Sequence, residues 1–433
     1  MSISAPSSST AVSPESSSSY TVPLAVVTTL FFMWGFLTCL NDILVPHLKP
    51  IFDLNYKEIM LIQFAFFGAY FLFSIPSAKI IDWIGYQRSM VAGLLTMGVG
   101  AFLFVPAASV PSYPLFLIAL IVLAAGITCL QVAANPYVTV LGRPETASSR
   151  LNLTQAFNSL GTFLAPFFGG LLILTAAPKS MEEIRAMAPD ALRGYRLHEA
   201  ATVKAPYVGL GIALVVLAIA IGSFKLPKIP QAQHKVGEKV NDSIWRHWNL
   251  IFGAVAIFVY VGAEVSIGSF LVNYFGQPEI GGLTEKVAAS FVAFYWGGAM
   301  VGRFIGSGLL QKMKTGRLLG ICAVCAAALV TISMLSTGHF AMWSIILVGF
   351  FNSIMFPSIF TLGVAELGPL TGDGSGIMIM AIVGGAIIPL AQGAIADRIG
   401  IHHAFFLPVI CYLYILFFAL SGSKPNSERH ARS

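Results

Sequence analysis

Charged residues are scarce in this chain. Lysine, arginine, aspartate and glutamate make up 10% of its 433 residues, whereas a soluble domain carries about 25%. Hydrophobic residues make up 56%, and the mean hydropathy is +0.80. This composition excludes an ordinary soluble domain and predicts a protein that crosses the bilayer many times. The net charge of +6 comes from short basic clusters between apolar runs, without the basic-aromatic stripe of a nucleic-acid partner.

Residues that build metal sites and disulfide frameworks are also few. The five cysteines all fall in apolar runs, and the pair Cys322 and Cys325 has neither a second pair nor a histidine cluster beside it. This arrangement indicates packing residues. Adjacent His402 and His403 lack ligand partners and indicate a turn at the interface. No apolar run carries a nucleophile and base at one depth, so we expect neither an enzyme nor a cofactor.

The apolar runs define twelve candidate spans, each near the length of about 20 residues that a bilayer requires. We call them the first to the twelfth span. Their limits are 21–46, 58–81, 87–108, 113–141, 150–176, 205–226, 247–276, 287–311, 317–336, 340–366, 375–396 and 402–421. Residues 177–204 and 227–246 are the longest polar breaks. The predicted fold class is therefore an all-α membrane protein.

The two halves of the chain repeat. Gln131, Pro136 and Gly142 in the fourth span recur as Asn352, Pro357 and Gly363 in the tenth, at an offset of 221 residues. Six spans followed by six similar spans predict the major facilitator plan, in which two six-helix halves rock around a site at the middle of the membrane. The predicted parts are a disordered tail 1–20, halves 21–226 and 247–421, a linker 227–246, and a tail 422–433.

The distribution of basic residues predicts the orientation. Bases cluster in the linker, in the C-terminal tail and in the loops on the same face, and the opposite face has short loops with few bases apart from 177–204. Because cytoplasmic loops carry the excess of lysine and arginine, we expect both termini to be cytoplasmic. The serine-rich N-terminus lacks the basic region of a signal peptide.

Two acidic residues lie inside apolar spans. Asp42 follows Asn41 in the first span, and Glu264 lies in the seventh at an offset of 222 residues. A carboxylate at membrane depth is costly unless it is paired, hydrated or protonated, so each is a candidate functional residue. The alternatives are a structural ion pair or a position at the interface.

Amide side chains form stripes on two neighbouring spans. Gln131 and Asn135 lie one turn apart on the fourth span. On the fifth span a single face carries Asn152, Gln155, Asn158 and Thr162. Because an amide offers both a donor and an acceptor, two uncharged stripes suit a neutral, hydroxyl-rich ligand. The alternative is that these amides join helices to each other.

The second half carries fewer amides. Asn352 is the counterpart of Gln131, whereas Phe356 stands in the place of Asn135. We therefore expect the first half to make most hydrogen bonds to a ligand, and the second half to supply apolar walls. Aromatic residues such as Tyr295 and Phe356 are candidates for stacking on a ligand ring.

Two segments at cytoplasmic span ends predict a gate. Asp82, Gly85 and Arg88 follow the second span with the spacing of a degenerate superfamily loop signature, and the segment that begins at Gly302 and Arg303 resembles its repeat. A charge pair here would hold helices together in one conformational state. The alternative is ordinary helix capping.

Several motifs together carry a family resemblance, from about residue 24 to 420. The segments LNDILVPHL, CLQVAANPYVTVLG, RLNLTQAFNSLGT, VGRFIG and FPSIFTLGVAELG resemble the fucose permease family of the major facilitator superfamily. The resemblance implies cation-coupled symport of a sugar across the bacterial inner membrane. By position, Asp42 matches the acid that couples the cation, and Gln155 and Asn158 match amides that face the sugar.

One departure from the family changes the expected coupling. Gln131 stands where the fucose permease has a glutamate, and Glu264 stands where that permease has a glutamine. We therefore favour sodium over a proton as the coupling cation, with Asp42 as the candidate sodium ligand and oxygens from Asn41 and Gln131 beside it. The expected substrate is a neutral hexose: glucose, galactose, mannose or fucose. The alternatives are a proton-coupled fucose-type symporter and a drug antiporter of the same superfamily.

The candidate residues follow from these observations. For cation coupling they are Asp42, Asn41, Gln131 and Glu264; for sugar binding Gln131, Asn135, Gln155, Asn158, Asn352, Phe356 and Tyr295; and for gating Asp82, Arg88 and Arg303. The expected partners are the sugar, the coupling cation and the lipid bilayer, and we expect a monomer.

Overall fold

The structure is a computed structural model of the chain. It describes residues 20–52, 56–110, 112–172, 183–184, 186–228 and 242–425. Within these ranges, the side chains of 40–52, 56–60, 63, 168–172, 196 and 199–203 lie outside the description. Asn41 and Asp42 are among them, so their predicted roles stay predictions.

The described residues are almost entirely helical and contain no strand. The first half consists of the helices Thr21–Phe52, Tyr56–Ser109, Tyr113–Val140, Ala147–Leu172 and Pro189–Ser223. The second half begins with Trp248–Gly276, Glu285–Leu309 and Thr315–Leu335. Three interrupted spans follow, formed by the pairs Gly338–Asn352 and Met355–Gly363, Thr371–Met380 and Gly384–Ile399, and Ile401–Ala404 and Phe406–Phe417.

Twelve spans are consistent with these helices. In the described part of the chain, 10 helical stretches are long and apolar enough to cross a membrane. One of them lies in the helix Tyr56–Ser109, which contains both the second and the third span. The chain turns between these two spans at Gly85, whose φ of 80° lies in the left-handed region that glycine adopts without strain. The helix Ala147–Leu172 is the fifth span.

The helix of the sixth span is longer than predicted. It starts at Pro189, within the segment 177–204 that the sequence predicts as a polar break. Proline at the first turn and Asp190 beside it favour a helix start there, since proline needs no hydrogen bond at this position and an acid suits the N-terminal dipole. The span predicted from hydrophobicity, 205–226, covers only the C-terminal part of this helix, so hydrophobicity alone located the membrane part and missed the polar extension.

Glycines set equivalent helix contacts in the two halves. A Cβ at Gly161 would lie 2.2 Å from the carbonyl oxygen of Phe32, where the fifth span crosses the first. A Cβ at Gly384 would lie 2.0 Å from the carbonyl oxygen of Phe258, where the eleventh span crosses the seventh. Only glycine allows backbones to approach this closely. The sequence repeat therefore corresponds to a repeat in packing.

The two halves are joined by hydrogen bonds near the end of the bundle where residues 224–228 and 242–247 lie, which we call the linker end. The Ser148 hydroxyl lies 2.6 Å from that of Thr361 and accepts a bond of 2.9 Å from Thr315. The Ser375 hydroxyl donates to the carbonyl of Val132 at 2.8 Å. Among the described residues, the hydrogen bonds between halves lie at the central cavity or on its linker side. The structure is thus closed at the linker end.

Candidate functional site

A cavity of about 200 Å³ lies between the two halves. Eight spans supply its wall: the first, second, fourth and fifth of the first half, and the seventh, eighth, tenth and eleventh of the second half. The described lining residues are Trp34, Tyr70, Gln131, Gln155, Val261, Glu264, Arg303, Phe356, Pro357 and Ile382. Of the predicted residues, Gln131, Gln155, Glu264 and Phe356 therefore do come together.

Amides of the first half form one side of the cavity. The Gln131 side-chain NH₂ donates to the Tyr70 hydroxyl at 2.7 Å, and that of Gln155 donates to the Asn135 side-chain oxygen at 3.4 Å. Both glutamines are at least nine-tenths buried. Because these bonds use amide nitrogens, the amide oxygens can accept hydrogen bonds from hydroxyl groups of a ligand. This explains the amides in the middle of the apolar fourth span.

A carboxylate and a guanidinium form the opposite side. Glu264 accepts a hydrogen bond of 2.8 Å from the Tyr260 hydroxyl, one helical turn earlier in the seventh span. Arg303 lies close enough to interact electrostatically with Glu264. Its Nε donates to the Ser353 carbonyl at 3.2 Å, and its Nη1 donates to the Ser159 hydroxyl of the first half. Each charge in this cavity therefore has a polar partner, as burial in a membrane protein requires.

Four predicted sugar-binding residues lie behind the cavity wall or beside it. Asn135 is fully buried behind Gln155, and Asn158 donates to the backbone carbonyl of Phe31 at 2.9 Å, which joins the fifth span to the first. The Asn352 side chain donates to the Tyr295 hydroxyl at 2.9 Å, and both residues are almost completely buried. In this conformation these four residues hold helices together and position the lining side chains.

The predicted gating residues are distributed differently from the expectation. Arg303 lies in the cavity wall, because the eighth span continues for six more residues before it ends at Leu309. Arg88 is exposed. Asp82 lies 3.6 Å from Lys79, whose ammonium makes a 2.7 Å contact with Asp373 of the second half. Among the described residues, the charge pair that joins the halves at the linker end is thus Lys79 with Asp373.

Four residues at the cavity are not predicted by the sequence patterns above: Trp34, Tyr70, Tyr260 and Ser159. For one of them, Tyr260, the spacing in the sequence could have indicated its place beside Glu264. Tyr260 precedes Glu264 by four residues, the spacing at which side chains meet on a helix. The other three are ordinary aromatic or small residues of apolar helices, and only the packing of several spans places them at the cavity.

The cavity suits a small neutral ligand with several hydroxyl groups. Amides, a carboxylate and a guanidinium can pair with hydroxyl donors and acceptors, and Trp34 and Phe356 offer apolar faces for a ring. The described residues contain no group of three histidine, cysteine or acidic side chains that could hold a metal ion. Cys322 and Cys325 are free thiols, and His402 bonds the Met334 carbonyl.

Known proteins are similar in sequence to this protein along almost the whole chain. It is 53% identical over 409 residues to a glucose/galactose transporter of Brucella abortus, which covers 94% of this chain and 96% of that protein. It is 36% identical over 417 residues to the L-fucose-proton symporter of Escherichia coli, with 94% of each chain covered.

The fold matches as well. The crystal structure of the transporter FucP in the outward conformation superimposes with a TM-score of 0.88 at 34% identity, over 94% of this chain and all of that one. The family model of the Major Facilitator Superfamily matches residues 25–382. Its two-half helical plan is the one that the repeat at 221 residues predicted. The chain belongs to the Major Facilitator Superfamily.

Proposed function

We propose that this protein is a secondary active transporter that carries a neutral hexose, glucose or galactose, into the cell together with a proton. The central cavity with its paired amides and single described acid is the observation that carries the proposal. Sugar and proton would enter the cavity from one side of the membrane and leave on the other after the two halves rock. Such a protein is a transporter and not an enzyme.

The choice of sugar rests on the cavity and on the relatives. Gln131 and Gln155 offer acceptor oxygens, and Glu264 and Arg303 offer charged partners for hydroxyl groups. The relative at 53% identity is named a glucose/galactose transporter, and the one at 36% a fucose symporter. Because Gln131 replaces the glutamate of the fucose permease, we propose glucose or galactose rather than fucose. Mannose is a further hexose that the same amides would accept.

The coupling ion proposed here differs from the expectation. The sequence favours sodium, but the comparisons give sodium no support, and the relative at 36% identity is named a proton symporter. The described cavity wall holds one acid, Glu264, whereas a sodium site needs several oxygens around the ion. A single acid beside a tyrosine hydroxyl and an arginine suits a group that gains and loses a proton. Asp42 of the first span stays the second proposed coupling residue.

The size of the cavity argues against the drug antiporter. Sites for drug-sized ligands have volumes of about 300–1,000 Å³, and this cavity measures about 200 Å³. One sugar ring is a better match than a large amphipathic cation. We therefore do not propose the drug antiporter.

The surroundings of the protein belong to the same proposal. We place it in the bacterial inner membrane as a monomer, with both termini and the linker in the cytoplasm. The proposed boundaries are those of the sequence repeat, with halves 21–226 and 247–421. The positive linker end, closed in this structure, would then face the cytoplasm, and the sugar would enter from outside.

Uptake of radiolabelled hexoses by cells that express the protein tests the proposal. We expect labelled glucose or galactose to accumulate at acidic external pH, and accumulation to stop with a protonophore. Replacement of sodium by choline should leave uptake unchanged. Empty-vector cells give the background. Uptake that collapses without sodium and ignores the protonophore would overturn proton coupling, and failure to transport both glucose and galactose would overturn the substrate assignment.

A further inference from the structure

The tenth span is broken beside the cavity. Its helix ends at Asn352, and a second helix starts at Met355. Pro357 has no N–H group, so the Ser353 carbonyl cannot receive the usual helical hydrogen bond from it. A free carbonyl in a membrane protein needs another donor. Here side chains of other spans supply it.

Two cavity residues bind carbonyls at this break. The Tyr260 hydroxyl lies 3.1 Å from the Asn352 carbonyl oxygen, and Arg303 Nε donates to the Ser353 carbonyl at 3.2 Å. The same two residues interact with Glu264, Tyr260 through a hydrogen bond and Arg303 electrostatically. Glu264 is therefore connected to the break by two independent side chains.

Tyr260 has more acceptors than protons. Its hydroxyl is within hydrogen-bond distance of both Glu264, at 2.8 Å, and the Asn352 carbonyl, at 3.1 Å, but a phenol donates only one hydrogen bond. When Glu264 is ionised, it accepts the hydrogen bond from the Tyr260 hydroxyl. A protonated Glu264 can donate to the Tyr260 oxygen, and the Tyr260 proton then turns to the Asn352 carbonyl. The proton taken up comes from the cavity water and stays on Glu264.

Arg303 extends this connection to the first half. Its Nη1 donates to the Ser159 hydroxyl of the fifth span while its Nε holds the Ser353 carbonyl. Attraction to an ionised Glu264 competes with these bonds, and neutralisation of Glu264 removes the competitor. The further ionisable groups near Glu264 are Tyr295 of the eighth span and Tyr412 of the twelfth, both almost completely buried.

We propose that proton binding at Glu264 is transmitted to the break of the tenth span and to the first half by Tyr260 and Arg303, which act as positioning residues. The inference rests on the proposed proton-coupled symport. Protonation moves the Tyr260 hydrogen bond to Asn352 and frees Arg303 for Ser353 and Ser159. The hydrogen bonds to the carbonyls at the break therefore change when Glu264 gains or loses its proton, and the tenth span can move relative to the first half.

The variant Tyr260→Phe tests this relay. It keeps the buried ring and removes the hydroxyl. We expect accumulation of sugar against a gradient to fall about ten-fold or more, because hydrogen bonds to charged groups contribute about 1.5–3 kcal/mol. Sugar binding by the purified protein should keep its dependence on pH, because Glu264 can still titrate.

A matched control lies in the same span. Tyr274 is also fully buried, but its hydroxyl bonds Ser333 at 3.1 Å, far from the cavity. Tyr274→Phe should leave accumulation and its pH profile unchanged. Equal loss of accumulation in both variants would overturn the relay, as would full accumulation in Tyr260→Phe. If Tyr260→Phe proves unstable on melting, Arg303→Lys, which keeps the charge but cannot hold two acceptors in a fork, serves for the same measurement.

Glu264→Gln separates the inference from the proposed function. This variant should lose the part of the pH dependence of sugar binding that comes from Glu264, and it should exchange sugar between two loaded pools but not accumulate it. Adding Tyr260→Phe to it should have no further effect, since the relay has no proton to transmit. A Glu264→Gln protein that still accumulates sugar at acidic pH would overturn the inference alone. Wild-type uptake that ignores the proton gradient would overturn the proposed function.

Discussion

At the scale of single residues, two buried amides have opposite roles in this protein. Gln155 lines the cavity and uses only its NH₂ group in a 3.4 Å bond to Asn135. Asn249 is fully buried near the linker end, where its NH₂ group donates to the carbonyls of Leu362, Gly363 and Ala365. The first amide is available to a ligand, and the second holds the end of the tenth span against the seventh.

The difference between the two amides predicts opposite phenotypes. Gln155→Ala should weaken sugar binding by about 1–3 kcal/mol, roughly ten-fold or more, because a ligand hydroxyl loses its partner. The melting temperature of the ligand-free protein should change little. Asn249→Ala should lower that melting temperature and leave the affinity of the folded protein as it was. Calorimetry and melting in detergent measure both; unchanged affinity in Gln155→Ala would remove this residue from the site.

At the scale of helices, glycine decides how closely the spans pack. A Cβ at Gly384 would lie 2.0 Å from the Phe258 carbonyl oxygen, whereas a Cβ at Gly297 of the eighth span would have no atom within 4 Å. Both lie in membrane helices, so the intrinsic helix propensity of glycine is the same at the two positions. Their neighbours differ.

Alanine at these two positions should therefore act differently. Gly384→Ala forces the seventh and eleventh spans apart, at a cost of about 1–3 kcal/mol or more. Gly297→Ala meets open space and should be neutral or slightly stabilising. Thermal unfolding of the two purified variants tests this. Equal melting temperatures would show that the eleventh span can shift without penalty.

The sequence patterns predicted the arrangement of the helices, but not the break in the tenth span or the position of every cavity residue. The proline and glycine spacing shared by the fourth and tenth spans gave the two-half plan, because a repeat survives in the chain order itself. The same spacing did not show that the tenth span breaks at Ser353 while the fourth stays continuous through Pro136. Nor did it show that Arg303 lies at the cavity. Both features depend on side chains of other spans, and no single segment contains that information.

At the scale of the whole molecule, the contacts between halves determine which side of the cavity is closed. Lys79 and Asp373 form a 2.7 Å ion pair, but Lys79 is 48% exposed. Such a pair contributes only about 0–1 kcal/mol. The hydroxyl cluster of Ser148, Thr315 and Thr361 is better shielded, with Ser148 at 5% and Thr361 at 7% exposure. The ion pair therefore has a small effect on the equilibrium between the closed and the open linker end, which several buried contacts determine.

The ion pair should shift that equilibrium without abolishing it. Spin labels at Glu145→Cys and Lys314→Cys, in a background free of the five native cysteines, report the separation of the halves at the linker end. Asp373→Ala should raise the population with a long distance by about two- to five-fold, which corresponds to a loss of up to about 1 kcal/mol. Lys79→Ala should raise this population by a similar factor, and adding Asp373→Ala to it should have little further effect. Because both single variants break the same ion pair, fully additive effects in the double variant would show that Asp373 acts through other neighbours and that the ion pair does not hold this end closed.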